Sequence, residues 1–66
     1  MTVEQMRFRA EQAEHLSERY TELERERERL GLYEEALEAR RVRHEQEAAA
    51  LYWRSRAETG AEGVTA

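Results

Sequence analysis

Leu30-Gly31-Leu32-Tyr33-Glu34-Glu35-Ala36-Leu37 sits at the midpoint of a 66-residue chain, between two long segments rich in Glu and Arg. Gly31 is the only strong break signal between Thr2 and Thr59. If the chain turns there it is a helical hairpin; if it does not, it is one long rod. Gly31 suits the left-handed C′ position of a helix end, with Leu32 as the apolar residue that follows. Against this, no Ser, Thr, Asp or Asn stands ready to cap a second helix. A glycine inside a continuous helix costs only about 1 kcal/mol relative to alanine, so the straight helix stays open as the alternative.

Outward from the turn, the N-terminal side is helical in pattern. Met6, Ala10, Ala13, Leu16, Tyr20, Leu23 and Leu30 are spaced mostly by threes and fours, the period of one helix face. Thr2-Val3-Glu4-Gln5 has the form of a capping box, with Met1 and Met6 at the staple positions around it, which starts the helix at Val3. On the C-terminal side the face resumes as Tyr33, Ala36, Leu37, Arg40 or Arg41, His44, Ala48, Leu51 and Tyr52. Gly60 reads as a helix end, with residues 61–66 as a disordered tail. The expected organisation is a single helical hairpin over residues 1–60, with helices near 3–30 and 33–59 and a turn at Gly31-Leu32.

Leu16, Leu23, Leu30 and Leu37 recur every seven residues, and Leu51 continues the series past His44. A parallel zipper built on them places Arg27, Glu34 and Arg41 at successive a positions, each facing its own copy. Consecutive like-charge layers remove most of the seam's apolar burial, which argues against that zipper. Folding at Gly31 instead brings together positions whose residue numbers add to about 61 to 64. Tyr20 then comes opposite Arg41 to His44, Leu16 opposite Ala48 and Ala13 opposite Leu51, large against small. Glu24 and Glu28 approach Arg40 and Arg41, so charges are complementary as well.

The helix-packing interface expected from this comprises Ala13, Leu16, Tyr20, Leu23 and Leu30 on the first helix and Tyr33, Leu37, His44, Ala48 and Leu51 on the second. The fold class is all-α: an antiparallel helical hairpin that self-associates into a dimeric four-helix bundle. Two continuous helices in an antiparallel coiled coil make the same contacts between chains, with Gly31 as a domain-swap hinge.

Composition narrows the function classes. Every cation other than histidine is Arg, every anion is Glu, and Cys, Pro, Asn, Asp and Ile are absent. Without cysteine there is no disulfide framework and no thiolate metal site. A formal charge of −4, with both signs mixed along the chain, disfavours general nucleic-acid binding. Neither a basic-then-apolar leader nor a stretch of membrane-spanning length is present, so a cytoplasmic protein without membrane contact is the default. No Ser/His/Asp or Cys/His arrangement, phosphate loop or dinucleotide fingerprint occurs, and neither an enzymatic activity nor a cofactor is expected. The alternating Glu and Arg from Glu22 to Arg29 read as a solvated, stiff helical face.

From Tyr20 to Leu37 the chain resembles one tetratricopeptide repeat. Tyr20 and Leu23 match the aromatic and leucine of that family's helix A, Gly31-Leu32-Tyr33 its turn, and Glu35-Ala36-Leu37 the start of its helix B. The family has a small residue where Glu24 stands, and an aromatic and an alanine where Arg40 and Arg43 stand. The resemblance implies a helical hairpin. It does not imply a peptide-binding groove, because about three repeats are needed to bury each other's faces.

Two clusters carry polar chemistry. Glu11 with His15, and His44 with Glu47, each set a carboxylate and an imidazole on one helix face, but in neither the di-iron nor the two-histidine zinc spacing. These read as ordinary polar or interface histidines, with a metal-binding bundle as the alternative that purification with iron or zinc would reveal. If His44 lies at a dimer seam, its protonation weakens assembly below about pH 6.5, which equal oligomer mass at low and high pH would rule out. At the open end, folding gathers Arg7, Phe8, Arg9, Tyr52, Trp53, Arg54 and Arg56 into a candidate partner-binding patch. The function expected is a non-enzymatic protein–protein interaction module, a small adaptor, assembly factor or regulator acting on itself and on another protein. A nucleic-acid-binding regulator using the Arg/aromatic end is an alternative that salt-dependent retention on DNA or RNA would detect. A small subunit stabilised only within a larger complex is another, recognisable by low helicity of the isolated chain.

Overall fold

A computed structural model describes the backbone of residues 1–65 and the side-chain surroundings of residues 1–60. The chain forms two helices, α1 (Val3–Arg29) and α2 (Tyr33–Thr65), which fold back on each other as an antiparallel hairpin. The hairpin is a slender rod whose Cα atoms extend over 53 × 13 × 13 Å. Among the described residues, no helix is long and apolar enough to cross a membrane.

The two ends of α1 are closed by different chemistry. At the start, the Thr2 hydroxyl accepts the Gln5 N–H at 3.1 Å and the Gln5 side chain accepts the Thr2 N–H at 2.9 Å, the reciprocal capping box. At the other end, the Gly31 N–H donates to the Glu28 carbonyl at 3.0 Å and the Leu32 N–H to the Arg27 carbonyl at 2.8 Å. This pair of bonds is a Schellman motif, and it requires the C′ residue in the left-handed region; Gly31 has φ 78°. The chain therefore turns at Gly31. Without a side-chain cap, α2 begins on backbone alone: the Leu32 carbonyl accepts the Ala36 N–H at 2.9 Å. Glu34 and Glu35 in the first turn complement the helix dipole. Arg27 Nη1 donates to the Glu35 carbonyl at 2.9 Å and ties the end of one helix to the start of the next.

The seam follows a strict three-four spacing on both helices. Val3, Met6, Ala10, Ala13, Ser17, Tyr20, Glu24 and Arg27 on α1 are each buried or half-buried. So are Ala36, Ala39, Arg43, Gln46, Ala50, Trp53, Ala57 and Gly60 on α2. Val3 Cγ2 lies 3.6 Å from where a Cβ on Gly60 would stand, which anchors the register. Every seam position of α1 then has a seam partner on α2 whose number completes a total of 63, as Val3 and Gly60 do. Met6 is set against Ala57, Trp53 against Ala10, Glu24 against Ala39 and Arg27 against Ala36. At these four pairs large faces small, whereas Ala13 comes level with Ala50 and Tyr20 with Arg43.

The register agrees with the expected one, but the helices are rotated about their axes relative to it. Ala13 belongs to the seam, whereas Leu16 and Ala48, and Leu51 opposite Ala13, do not pair across it; Leu51 is 66 % exposed. Among the described residues the buried apolar side chains are all alanines: Ala10, Ala13, Ala36, Ala39, Ala50 and Ala57. The reason is steric. Alanine and glycine let two backbones approach closely, and leucine at the same positions would hold them apart. The C-terminal boundary also differs from the expected one near residue 59, because α2 continues through Gly60 to Thr65. One glycine costs a helix only about 1 kcal/mol, and Gly60 packs beneath Val3. The expected tail overlaps this extension at 61–65, and Ala66 lies outside the described residues.

Candidate functional site

Three surfaces surround the seam, and helical period places each of them. Leu16, Leu23 and Leu30 fall on one flank of α1. The register sets them on the same side as Val42 and Ala49 of α2, which are half-buried. Leu16 is 38 % exposed, Leu23 is half-buried and Leu30 is 66 % exposed, with Tyr20 half-buried between them. Leu16, Tyr20 and Leu23 line a shallow cleft with Arg19, Glu22 and Glu26. This is an apolar face to which both helices contribute.

The opposite flank is ionic. Glu14 pairs with Arg54, and Arg40 Nη2 with Glu28 Oε1 at 3.4 Å. At its centre is Glu24, a carboxylate within the seam that is only 8 % exposed. Arg40 Nε donates to Glu24 Oε2 at 2.9 Å and Arg43 Nε to Glu24 Oε1 at 3.1 Å, so both carboxylate oxygens are satisfied. Arg43 continues to Glu47 at 3.2 Å, and His44 Nδ1 lies 3.5 Å from the other Glu47 oxygen. The hydrogen bond from Arg40 holds the Glu24 carboxyl below the usual carboxylate range; burial opposes this, and the charges of Arg40 and Arg43 reinforce it. Of the pairing expected from sequence, Arg40 meets both Glu24 and Glu28, while the second arginine on Glu24 is Arg43. Arg41 is turned outward, one position round the helix, and makes no ion pair among the described residues. Glu24, Arg40 and Arg43 form a single ionic unit.

The third surface is the back of α2, where Leu37, His44 and Leu51 follow one another at intervals of seven, pointing away from α1. Leu37 is 58 % exposed, and Leu37, Arg41, His44 and Ala48 line a shallow groove of mainly apolar surface. Tyr33 is exposed beside the start of this stripe.

The seven residues gathered at the open end do not form one patch. Arg9 lies over the Trp53 ring with 5.2 Å to its centroid, and Arg56 over Tyr52 with 5.7 Å. Tyr52 and Trp53 meet edge to face with centroids 5.0 Å apart. These four make a ladder of cation and ring on the apolar flank, each rung worth about 0.5–1 kcal/mol at an exposed site. Arg7 and Arg54 lie on the ionic flank and line a cleft with Ala10, Glu11, Ala57 and Glu58. Phe8 is exposed on the outer side of α1. His15 is exposed on the outer side of α1 and His44 on the outer side of α2, so the structure does not bring the histidines together. Among the described residues there is no group of three or more His, Cys, Asp or Glu placed to hold a metal ion. Comparison with protein-family models, with curated proteins and with solved structures finds no match.

Proposed function

We propose that this chain is a non-enzymatic protein–protein interaction module that works by helix packing. Its first partner is a second copy, joined through the apolar flank of the hairpin into a dimeric four-helix bundle. One observation carries the reading: Leu16, Leu23, Leu30, Leu37 and Leu51 lie outside the seam, and all of them but Leu23 are exposed. A hairpin of this size buries little apolar surface, and small scaffolds of this kind commonly gain stability by oligomerising. Leu16, Tyr20, Leu23 and Leu30 beside Val42 and Ala49 form a continuous face across both helices, which is the form of surface that a bundle requires.

The test is solution mass by light scattering, with helicity by circular dichroism, for the natural chain and for a Leu16→Glu/Leu30→Glu variant. Both leucines are exposed in the hairpin, so the substitutions spare its seam. The expected result is a mass of at least two chains that falls markedly in the variant. A natural chain that is monomeric and fully helical at high concentration would end the proposal.

A further inference from the structure

The seam does not pass Gly31 in a single phase. On α1 it is a seven-residue repeat that ends at Glu24 and Arg27, and an unbroken helix would continue that repeat at Gly31, Glu34, Glu38 and Arg41. The seam of α2 runs instead through Ala36, Ala39, Arg43 and Gln46. Ala36 and Ala39 each stand two residues before the repeat's Glu38 and Arg41. Two residues are about 200° of an α-helix, so in a straight chain the two halves of the seam lie on different sides of the axis.

A hairpin is indifferent to this offset, because the turn lets each helix present its own seam to the other. A straight chain is not. A copy laid antiparallel along the seam of α1 leaves the seam of α2 facing away from it. Two straight chains therefore do not cover each other's seams, and the equivalence expected from sequence between rod pair and hairpin fails. We propose that the Gly31 turn guards this chain against open-ended assembly. With the turn, the two half-seams close on each other; without it, each chain gives α1 to one neighbour and α2 to another. Such contacts are heterologous and build rings or filaments, not a closed pair.

The guard is concentrated in one residue. The bonds from the Gly31 and Leu32 N–H groups to the Glu28 and Arg27 carbonyls both depend on the left-handed conformation of Gly31. One side chain assists them, through the bond from Arg27 to the Glu35 carbonyl. A Cβ at Gly31 meets nothing within 4 Å, so alanine there changes conformational preference and no contact. That preference counts twice, since alanine disfavours the left-handed turn and favours continuous helix. The effect is independent of the bundle contact, which uses the apolar flank and not the seam.

The chain contains no cysteine, so Phe8→Cys/Ser55→Cys, at two exposed positions, places a pair of distance labels on the full chain. Three labelled chains are compared, all carrying Leu16→Glu/Leu30→Glu so that the flank contact adds nothing to the mass. One keeps Gly31, one has Gly31→Ala, and one has Gly31→Ala with two alanines inserted after Leu32. The insertion moves the seam of α2 forward into the phase of α1. Each is refolded at concentrations up to about 1 mM, where a neighbour competes with a tethered segment, with labelled chains diluted in unlabelled ones. The chain with Gly31 is expected to keep its labels close and its mass constant. Gly31→Ala shifts the balance toward continuous helix roughly tenfold. Its labels are expected to separate to about 70 Å, and its mass to pass two chains and keep rising with concentration. The insertion variant is expected to show the same separation with a mass that stops at two chains. The proposal is overturned if Gly31→Ala keeps its labels close at every concentration, or straightens and stops at two chains. Growth of the insertion variant past two chains overturns it as well, because the contact responsible is then not the seam.

Discussion

The seam and the stripes outside it share one period and have opposite contents. Among the described residues, six buried alanines lie between the helices; outside, Leu30 and Leu51 are each 66 % exposed. A buried methyl group contributes about 0.8 kcal/mol, whereas a fully buried leucine contributes about 1.5–3 kcal/mol. The two helices of one chain are already held together by the Gly31 turn, and they meet through side chains small enough to let them close. The larger hydrophobic free energy is left for contacts that no turn enforces. The most sensitive way to break this comparison is to make the seam resemble its outside. Ala39→Leu, at a site with no exposed surface, is expected to destabilise the hairpin by about 1–3 kcal/mol through overpacking. Leu51→Ala is expected to leave the urea midpoint measured at low concentration nearly unchanged. If both variants unfold like the natural chain, the alanines are not the seam.

Much of this was legible in the sequence, and the misreading has a specific cause. The capping box at Thr2-Val3-Glu4-Gln5 and the turn at Gly31 are local chemistry, decided by two or three neighbouring residues. The register followed because a turn at a known residue fixes which positions come level. The rotation of each helix about its own axis did not follow. Two overlapping three-four patterns run along α1, one through Ala13, Leu16, Tyr20 and Leu23, the other through Ala10, Ala13, Ser17, Tyr20 and Glu24. Hydrophobicity favours the first, because it counts leucine above alanine and penalises glutamate. Backbone approach favours the second, and it prevails because Arg40 and Arg43 neutralise the one charge it buries. The signal that could have revealed this was present: a turn at Gly31 brings the carboxylate of Glu24 level with the arginines of α2, and Arg40 and Arg43 both bond it.

The two described glycines sharpen the same contrast between turn and seam. Gly31 has φ 78° and no atom within 4 Å of a built Cβ, so Gly31→Ala meets open space and its whole cost is conformational. It is expected to lower stability by about 1 kcal/mol. Gly60 is helical and its built Cβ makes ordinary contact with Val3 at 3.6 Å, so Gly60→Ala is expected to raise stability by up to about 1 kcal/mol. Urea midpoints that move in the same direction for both substitutions would contradict the assignment of one glycine to the turn and the other to the helix.

The smallest effect is expected within the seam, where its alanine rule is broken by Glu24. Its carboxyl is held below the usual range first by the hydrogen bond from Arg40, so between the unfolded and folded values the unfolded chain binds more protons. Stability from this group is therefore complete above the usual carboxylate value and is lost as pH falls through the lowered one. The other glutamates titrate over the same range, so the useful quantity is the difference in urea midpoint between the natural chain and Glu24→Gln. That gap is expected to be open at about pH 6 and to close toward about pH 2. Added salt should narrow it at pH 6, because the Arg40 side chain is 47 % exposed and its attraction is screened. A gap independent of both pH and salt would mean that Glu24 acts by shape and hydrogen bonding alone. The ionic unit would then be an uncharged spacer in function, and the rotation of the helices would rest on the alanines.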